Sequence, residues 1–363
     1  MKYIDEYRDS GLAKEIVEKI YSEVKNYNSE IKIMEVCGTH TMAIGKFGIR
    51  RILPENIKLL SGPGCPVCVT PQSYIDKAIA FSQIENVKIA TFGDMFKVPG
   101  SYSSLEKEKS TGKDVEIVYS PMDALNIAKE NKDKKVIFLA IGFETTSPAV
   151  AMTLKNAYQE NVKNFFIFSG HKLIPPAMEA LLKGKVEING FICPGHVSTI
   201  IGSEPYEFIP ENYGIPCVIT GFELLDILYA IYLIVRNICR KEKPGVEIEY
   251  RRSVKREGNL KAKMVMEEVF EVYDSKWRGL GIIPLSGLKL REKFWEYDAE
   301  RVFDVKVNET KENENCICGE ILKGLKTPKD CKLYRKVCNP ENPVGPCMVS
   351  SEGACAAYYK YEE

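Results

Sequence analysis

Between residues 31 and 220 one pattern recurs eight times: a short apolar run, a Gly or other small residue, then a helical pattern. The runs are IKIMEV (31–36), IKLL (57–60), VKIATF (87–92), VEIVYS (115–120), VIFLAI (136–141), FFIFS (165–169), GFIC (190–193) and PCVIT (216–220). Most are continuous rather than alternating, as strands covered on both faces require. Helical stretches such as SYIDKAIAFSQ, MDALNIAKENK and PAMEALLKG lie between them, which predicts a βαβ series. The expected fold is α/β: two lobes of mostly parallel sheet with flanking helices, plus a smaller, mainly helical or irregular domain. A length of 363 residues accommodates two or three domains.

The charged stretch SSLEKEKSTGKD (103–114) and the turn at Ser120–Pro121 place the division between lobes near residue 120, giving 30–119 and 120–234. After about residue 240 the character changes. A charged, linker-like stretch (241–259) leads to a helical pattern, AKMVMEEVFEVYD (262–274), a Gly-rich segment, WRGLGIIPLSGLKL, and a cysteine-rich tail. An amphipathic helix at about 3–25 has no strand partner and is expected to pack on this last region, grouping 1–29 with 235–363. The opening MKYIDEYRDSGLAKEIVEKI reads as neither signal peptide nor anchor. The greasiest stretch, LLDILYAIYLIV (224–235), is too short to cross a bilayer and predicts a buried helix. Fifty Lys+Arg balance fifty Asp+Glu, which argues against nucleic acid as partner. A cytoplasmic, non-membrane protein is expected.

In such a reducing compartment twelve cysteines suggest metal or redox chemistry rather than a disulfide framework. Six of them fall in the last 48 residues. Open parallel sheets bind ligands beyond the carboxyl ends of their strands, and all three histidines lie in loops of that kind. Cys37-Gly-Thr-His40-Thr joins a strand to a helix, where the helix dipole favours a thiolate. His40 is placed to share a metal, take a proton or orient that thiolate. Cys65-Pro-Val-Cys68 is a CxxC pair suited to one metal or a small redox disulfide; flanking glycines and an internal Pro suit a stiff, exposed dithiol. Thr70 as N-cap and Pro71 as first helical residue would set Cys68 just ahead of a helix. Half of a zinc site shared with Cys316-Ile-Cys318 is the competing reading. Glu144 is a candidate general base, metal ligand or capping group. His171-Lys172 and His196 offer donors for an anionic or polar ligand, or proton relays. No loop carries a clean nucleotide-binding motif. In the tail, Cys316, Cys331, Cys338 and Cys355 could enclose an iron–sulfur cluster or zinc, and spacing alone does not choose between them. Cys318 and Cys347 are spare candidates, expected with Cys193, Cys217 and Cys239 to be packing residues.

The stretches MEVCGTHTMAI, SGPGCPVCVTP, AIGFETTSPA, FSGHKLIPPAM, ICPGHVSTIIG and GPCMVSSEGACAAYY together resemble the HypD family of [NiFe]-hydrogenase maturation factors, from about residue 34 to the C-terminus. The resemblance implies two α/β lobes around a cleft and a third domain carrying a [4Fe–4S] cluster. It implies a role, with the small chaperone HypC, in building the Fe(CN)₂CO group. Cyanide would come from the C-terminal cysteine thiocarboxamide of HypE, carbamoylated upstream by HypF. Matched residue by residue, Cys37 would hold the iron with a cysteine of HypC, and His40 would assist there. Cys65 and Cys68 would be the dithiol of the cleft. Cys316, Cys331, Cys338 and Cys355 would hold the cluster, fed by an unidentified electron donor. A free-standing iron–sulfur thiol–disulfide oxidoreductase is the alternative, though it leaves Cys37 and His40 idle. A zinc-stapled binding module without redox chemistry is a third reading.

Overall fold

The computed structural model describes residues 5–184, 186–307, 310 and 312–362; residues 3 and 4 of the N-terminal helix expected above lie outside these. All eight apolar runs are strands: β1 (Ile31–Glu35), β2 (Ile57–Ser61), β3 (Val87–Thr91), β4 (Val115–Ile117), β5 (Lys135–Ala140), β6 (Phe165–Ser169), β7 (Gly190–Pro194) and β8 (Cys217–Thr220). The fold is α/β, with two parallel sheets flanked by helices. One sheet has the order β4-β3-β5-β6. The other runs β2-β1-β7-β8 and is extended by β9 (Val246–Ile248). The middle strands β5 and β7 are buried almost throughout, as their unbroken apolar runs require.

Sheet membership does not change at residue 120. The chain lays down β1 and β2, leaves to build β3–β6, and returns for β7–β9. The charged stretch at 103–114 contains the helix Leu105–Ser110 inside the β3–β4 connection, not a passage between sheets. Composition marks exposed connections, whereas pairing is settled by which edge a returning strand meets.

Two further expectations are corrected. The helix Ser10–Val24 packs on Leu224–Arg240, not on the cysteine tail. Ala13, Ile20 and Val24 join Ile227, Ile231 and Ile234 in one core, and Arg8–Glu223 and Arg240–Glu23 pair at its ends. Leu224–Arg240 buries ten residues, more than one face of a helix, so its outer side needs a cover. The helix expected over 262–274 ends at Val269. Phe270 begins a twisted hairpin, β10 (Phe270–Trp277) with β11 (Gly281–Leu290). Phe, Val, Tyr and Trp in that stretch favour a pleated surface, and Trp277 closes it with a hydrogen bond to Ser286. The linker-like stretch supplies β9, whose three residues pair with β8. No described helix is long and apolar enough to cross a membrane.

Candidate functional site

β1 and β2 are parallel neighbours, and each ends in a thiol-bearing loop. The loops are bound together: Gly62 N–H donates to Glu35 O (2.8 Å) and Gly38 N–H to Gly64 O (3.0 Å). A Cβ on Gly64 would come within 2.1 Å of the Cys37 nitrogen, so only glycine permits this approach.

Cys37 caps the helix Gly38–Lys46 at its N-terminus. No backbone N–H makes a capping hydrogen bond to its sulfur, although the first-turn N–H groups of His40 and Thr39 act to lower its pKa, in the direction the dipole argument anticipated. Burial outweighs them, with the nearby carboxylates of Glu352 and Glu35 adding to it, and the thiol is pushed up to about 12. The free thiolate expected from the sequence is therefore corrected to a protonated thiol. Glu35 accepts from the Cys37 N–H (3.0 Å) and from the Thr41 hydroxyl, and its own burial pushes it up to about 7. Glu352 comes from the tail and accepts from the Thr39 hydroxyl (2.8 Å). Neither carboxylate was singled out from the sequence; Glu352 becomes a neighbour only because the helix Ala354–Tyr361 packs on Gly38–Lys46.

His40 and His196 meet here. Phe222 lies between them, its ring centroid 4.7 Å from His40 and 4.0 Å from His196. His40 Nε2 donates to the Gly221 carbonyl (2.9 Å), which assigns the proton to Nε2 and leaves Nδ1 a bare lone pair with no partner among the described residues. Burial holds this imidazole down to about 4, so it is neutral. The loop is braced by Glu249, which accepts from Thr220 and Gly221, and by the bidentate pair of buried Asp226 with Arg252. His171 does not join this group. It is buried against Phe270, 5.4 Å between centroids. Glu144 is also elsewhere: it accepts from the Ile174 N–H (3.0 Å), capping the helix Ile174–Leu182, and burial pushes it up to about 7. Its capping role is real, but the helix is not the one that follows it in sequence.

The CxxC pair is buried rather than exposed. Cys65 caps a single turn, Pro66–Val69, and accepts from the Cys68 N–H (3.3 Å); Cys68 lies within that turn, Thr70 ends it, and Pro71 caps the next helix. Further thiols lie beyond Cys68: Cys347 is near enough to it, and Cys318 to both Cys347 and Cys316, for each to perturb its neighbour's ionisation. Cys318 and Cys347 are buried in the core, as expected of packing residues, and they also stand between the dithiol and the tail. Their proximity could not be read from spacing, because the helix Pro346–Val349 reaches the turn Pro66–Val69 only in the folded chain.

Cys316, Cys331, Cys338 and Cys355, with Cys318 and Cys347, line one small apolar cavity. All twelve thiols are free. The Val344 N–H donates to Cys338 Sγ (3.4 Å), the kind of bond that supports a metal-bound thiolate. A Cβ on Gly345 would meet Cys316 Sγ at 2.8 Å, so the cavity wall is trimmed there. By donor chemistry four thiolates from this set fit an iron–sulfur cluster or zinc alike.

Comparison with known proteins places these features in one group. The family model HypD, described as the hydrogenase formation hypA family, matches residues 11–362. The hydrogenase maturation factor HypD2 of Bradyrhizobium diazoefficiens is 46% identical over 99% of this chain and 97% of that protein. A putative hydrogenase expression/formation protein of Methanocaldococcus jannaschii is 47% identical over 97% of this chain and 98% of its own length. The Escherichia coli hydrogenase maturation factor HypD is 43% identical over 100% and 99%.

Proposed function

The chain belongs to the HypD family of hydrogenase maturation factors, and we propose that it acts, with HypC, as the scaffold on which the Fe(CN)₂CO group is assembled. The observation that carries this reading is the setting of Cys37. Its thiol sits near two carboxylates, at the start of the helix that carries the His40 imidazole with its bare Nδ1, and one glycine away from a buried dithiol. The carboxylates that hold the proton on Cys37 also favour a divalent cation in its place. Iron is the substrate here, held by the Cys37 thiolate with a cysteine of HypC, and soft sulfur suits iron that accepts cyanide and carbon monoxide. His40 Nδ1 takes up a proton or orients a ligand at that iron.

In this reading the tail of HypE, charged upstream by HypF, delivers cyanide at Cys37. Once the thiocarboxamide has lost water, parting its carbon as cyanide from its sulfur as thiol takes two electrons and one proton, which Cys65 and Cys68 supply as they close to a disulfide and release their second proton. The pair reopens when two electrons and two protons are returned. Cys347 and Cys318 relay between that pair and the tail. Cys316, Cys331, Cys338 and Cys355 would hold a [4Fe–4S] cluster, which when bound supplies single electrons from an external donor. The test is anaerobic co-purification with HypC followed by infrared spectroscopy. Cyanide and carbonyl stretches on iron are expected for the unaltered chain and absent from Cys37→Ala. Bands that survive Cys37→Ala overturn the placement, and a protein that never shows them but turns over its dithiol is the free-standing oxidoreductase. A colourless protein without a broad iron–sulfur absorption shoulder overturns the redox half.

A further inference from the structure

A cleft of about 560 Å³ opens beyond the carboxyl end of β6, lined by Tyr74, Lys77, Lys172, Tyr273, Ser275 and Lys276 among others. That volume is within the range of small-molecule sites, and the place is where parallel sheets present ligands. We propose that this cleft binds a small organic carboxylate through the ammonium of Lys172.

Lys172 is 3% exposed. Its Nζ donates to Ser275 Oγ (2.6 Å), and among the described residues no carboxylate stands within ion-pair distance. Other sheltered cations are paired: Arg252 with Asp226, Lys88 with Asp114 and Glu116, and Lys77 in this same cleft with Glu300. An ammonium has three donors, and a buried one without a counter-charge is costly. Burial alone pushes Lys172 down to about 8, a penalty that an arriving anion removes.

The position is not slack. Lys172 N–H donates to Gly142 O, and the residue bridges Gly287 of β11, so the backbone is clamped from both sides. Strand alternation then sends His171 toward Phe270 and Lys172 toward Ser275. Met or Leu would satisfy packing at this site; a cation invites an anion.

The surroundings define the class. Of the cleft's other charges, Lys77 is paired with Glu300, which also lines it, and Lys276 is exposed; the one buried cation meets the uncharged hydroxyls of Ser275 and Tyr273, which suits a single negative charge better than a doubly charged phosphate. The Tyr74 hydroxyl is already used on Phe168 O (2.8 Å), so what that side chain contributes to the cleft is its ring. An apolar body with one carboxylate matches these groups. The inference is independent of the iron reading, since it uses neither Cys37 nor the thiols.

The test is calorimetric titration of the full chain with 4-bromobenzoate, 4-bromobenzamide and inorganic phosphate, with the bromine located by its anomalous scattering in soaked crystals. One saturable benzoate site is expected, its carboxylate at Lys172 Nζ. The neutral amide and the Lys172→Met variant should each bind at least about tenfold more weakly, because a charge-assisted hydrogen bond is lost. Equal binding of the amide, unaltered binding by Lys172→Met, bromine elsewhere or no saturable binding overturns the proposal. So does displacement of benzoate by phosphate, which would mark an inorganic oxyanion site. The amide comparison uses the unaltered chain, so it holds even if the variant does not fold.

Discussion

Cys37 and Cys65 stand just beyond the ends of adjacent parallel strands, yet their environments have diverged. Around Cys37 the side-chain neighbours are oxygen: the carboxylates of Glu352 and Glu35. Around the CxxC pair sulfur predominates, with Cys347 and Cys318 near Cys68, although Glu352 and Ser350 also reach Cys65. The first set favours a cation; the second favours exchange between thiols and disulfides. The difference is made by the tail, whose Glu352 bears most on Cys37 and whose Cys347 bears on the dithiol.

The contrast can be broken at the glycine that joins its halves. Gly64→Ala drives a methyl into the Cys37 backbone, where nothing flexible can yield. A loss of more than ~3 kcal/mol in urea denaturation is expected, or failure to accumulate folded protein. Near-normal stability would show that the two loops can part. Cys347→Ala should act on the sulfur side alone. Return of electrons from the tail to an oxidised Cys65/Cys68 pair should slow by roughly tenfold or more, with iron retention at Cys37 unchanged. Thiol trapping with mass spectrometry follows the first quantity and iron analysis the second; a parallel fall in both would erase the distinction.

A smaller effect belongs to the oxygen side. Glu35 ordinarily titrates near 4.5 and is pushed up to about 7 by burial. The folded protein therefore holds its proton more tightly than the unfolded chain. This contribution to stability is fully present below pH 4.5 and is lost as pH rises through 7. Glu35→Gln should remove a slope on the order of 2 kcal/mol between pH 5 and pH 8. Glu144, also pushed up to about 7, leaves its own slope in place. An unchanged pH profile in Glu35→Gln counts against the assignment. The smallest change expected is from Glu352→Gln, which takes one negative charge from beside Cys37. The thiol should then ionise more readily, and alkylation by iodoacetamide should speed up by ~3–10-fold, with a smaller change at Cys65, which Glu352 also faces, and none at Cys68.

Much of this architecture was legible in the order of residues. Eight continuous apolar runs became eight strands, because a strand buried on both faces tolerates few polar residues. CGTHT and GPGCPVC announced thiols at strand ends, since Gly and Pro leave few other conformations to such loops. The hairpin at 270–290 was hidden because its apolar residues are interleaved with Glu, Asp and Lys that also suit a helix. Glu352 and Phe222 were silent, and the meeting of Cys347 with Cys68 was hidden, for a different reason. Each matters through a neighbour more than a hundred residues away, and no local pattern encodes such a meeting.

By itself, then, the sequence determined the parallel α/β class, the strands, and the loops in which the thiols and histidines would lie. Those follow from periodicity and backbone chemistry, which act over a few residues. Only the tertiary structure decided that β1 and β2 share a sheet with β7–β9, and that His40 and His196 stack on one phenylalanine while His171 stays apart. It also decided that burial, with two carboxylates nearby, favours the protonated form of Cys37, and that Cys347 and Cys318 lie between the dithiol and the tail. Burial and electrostatics depend on what the rest of the chain brings near, and that is settled by packing.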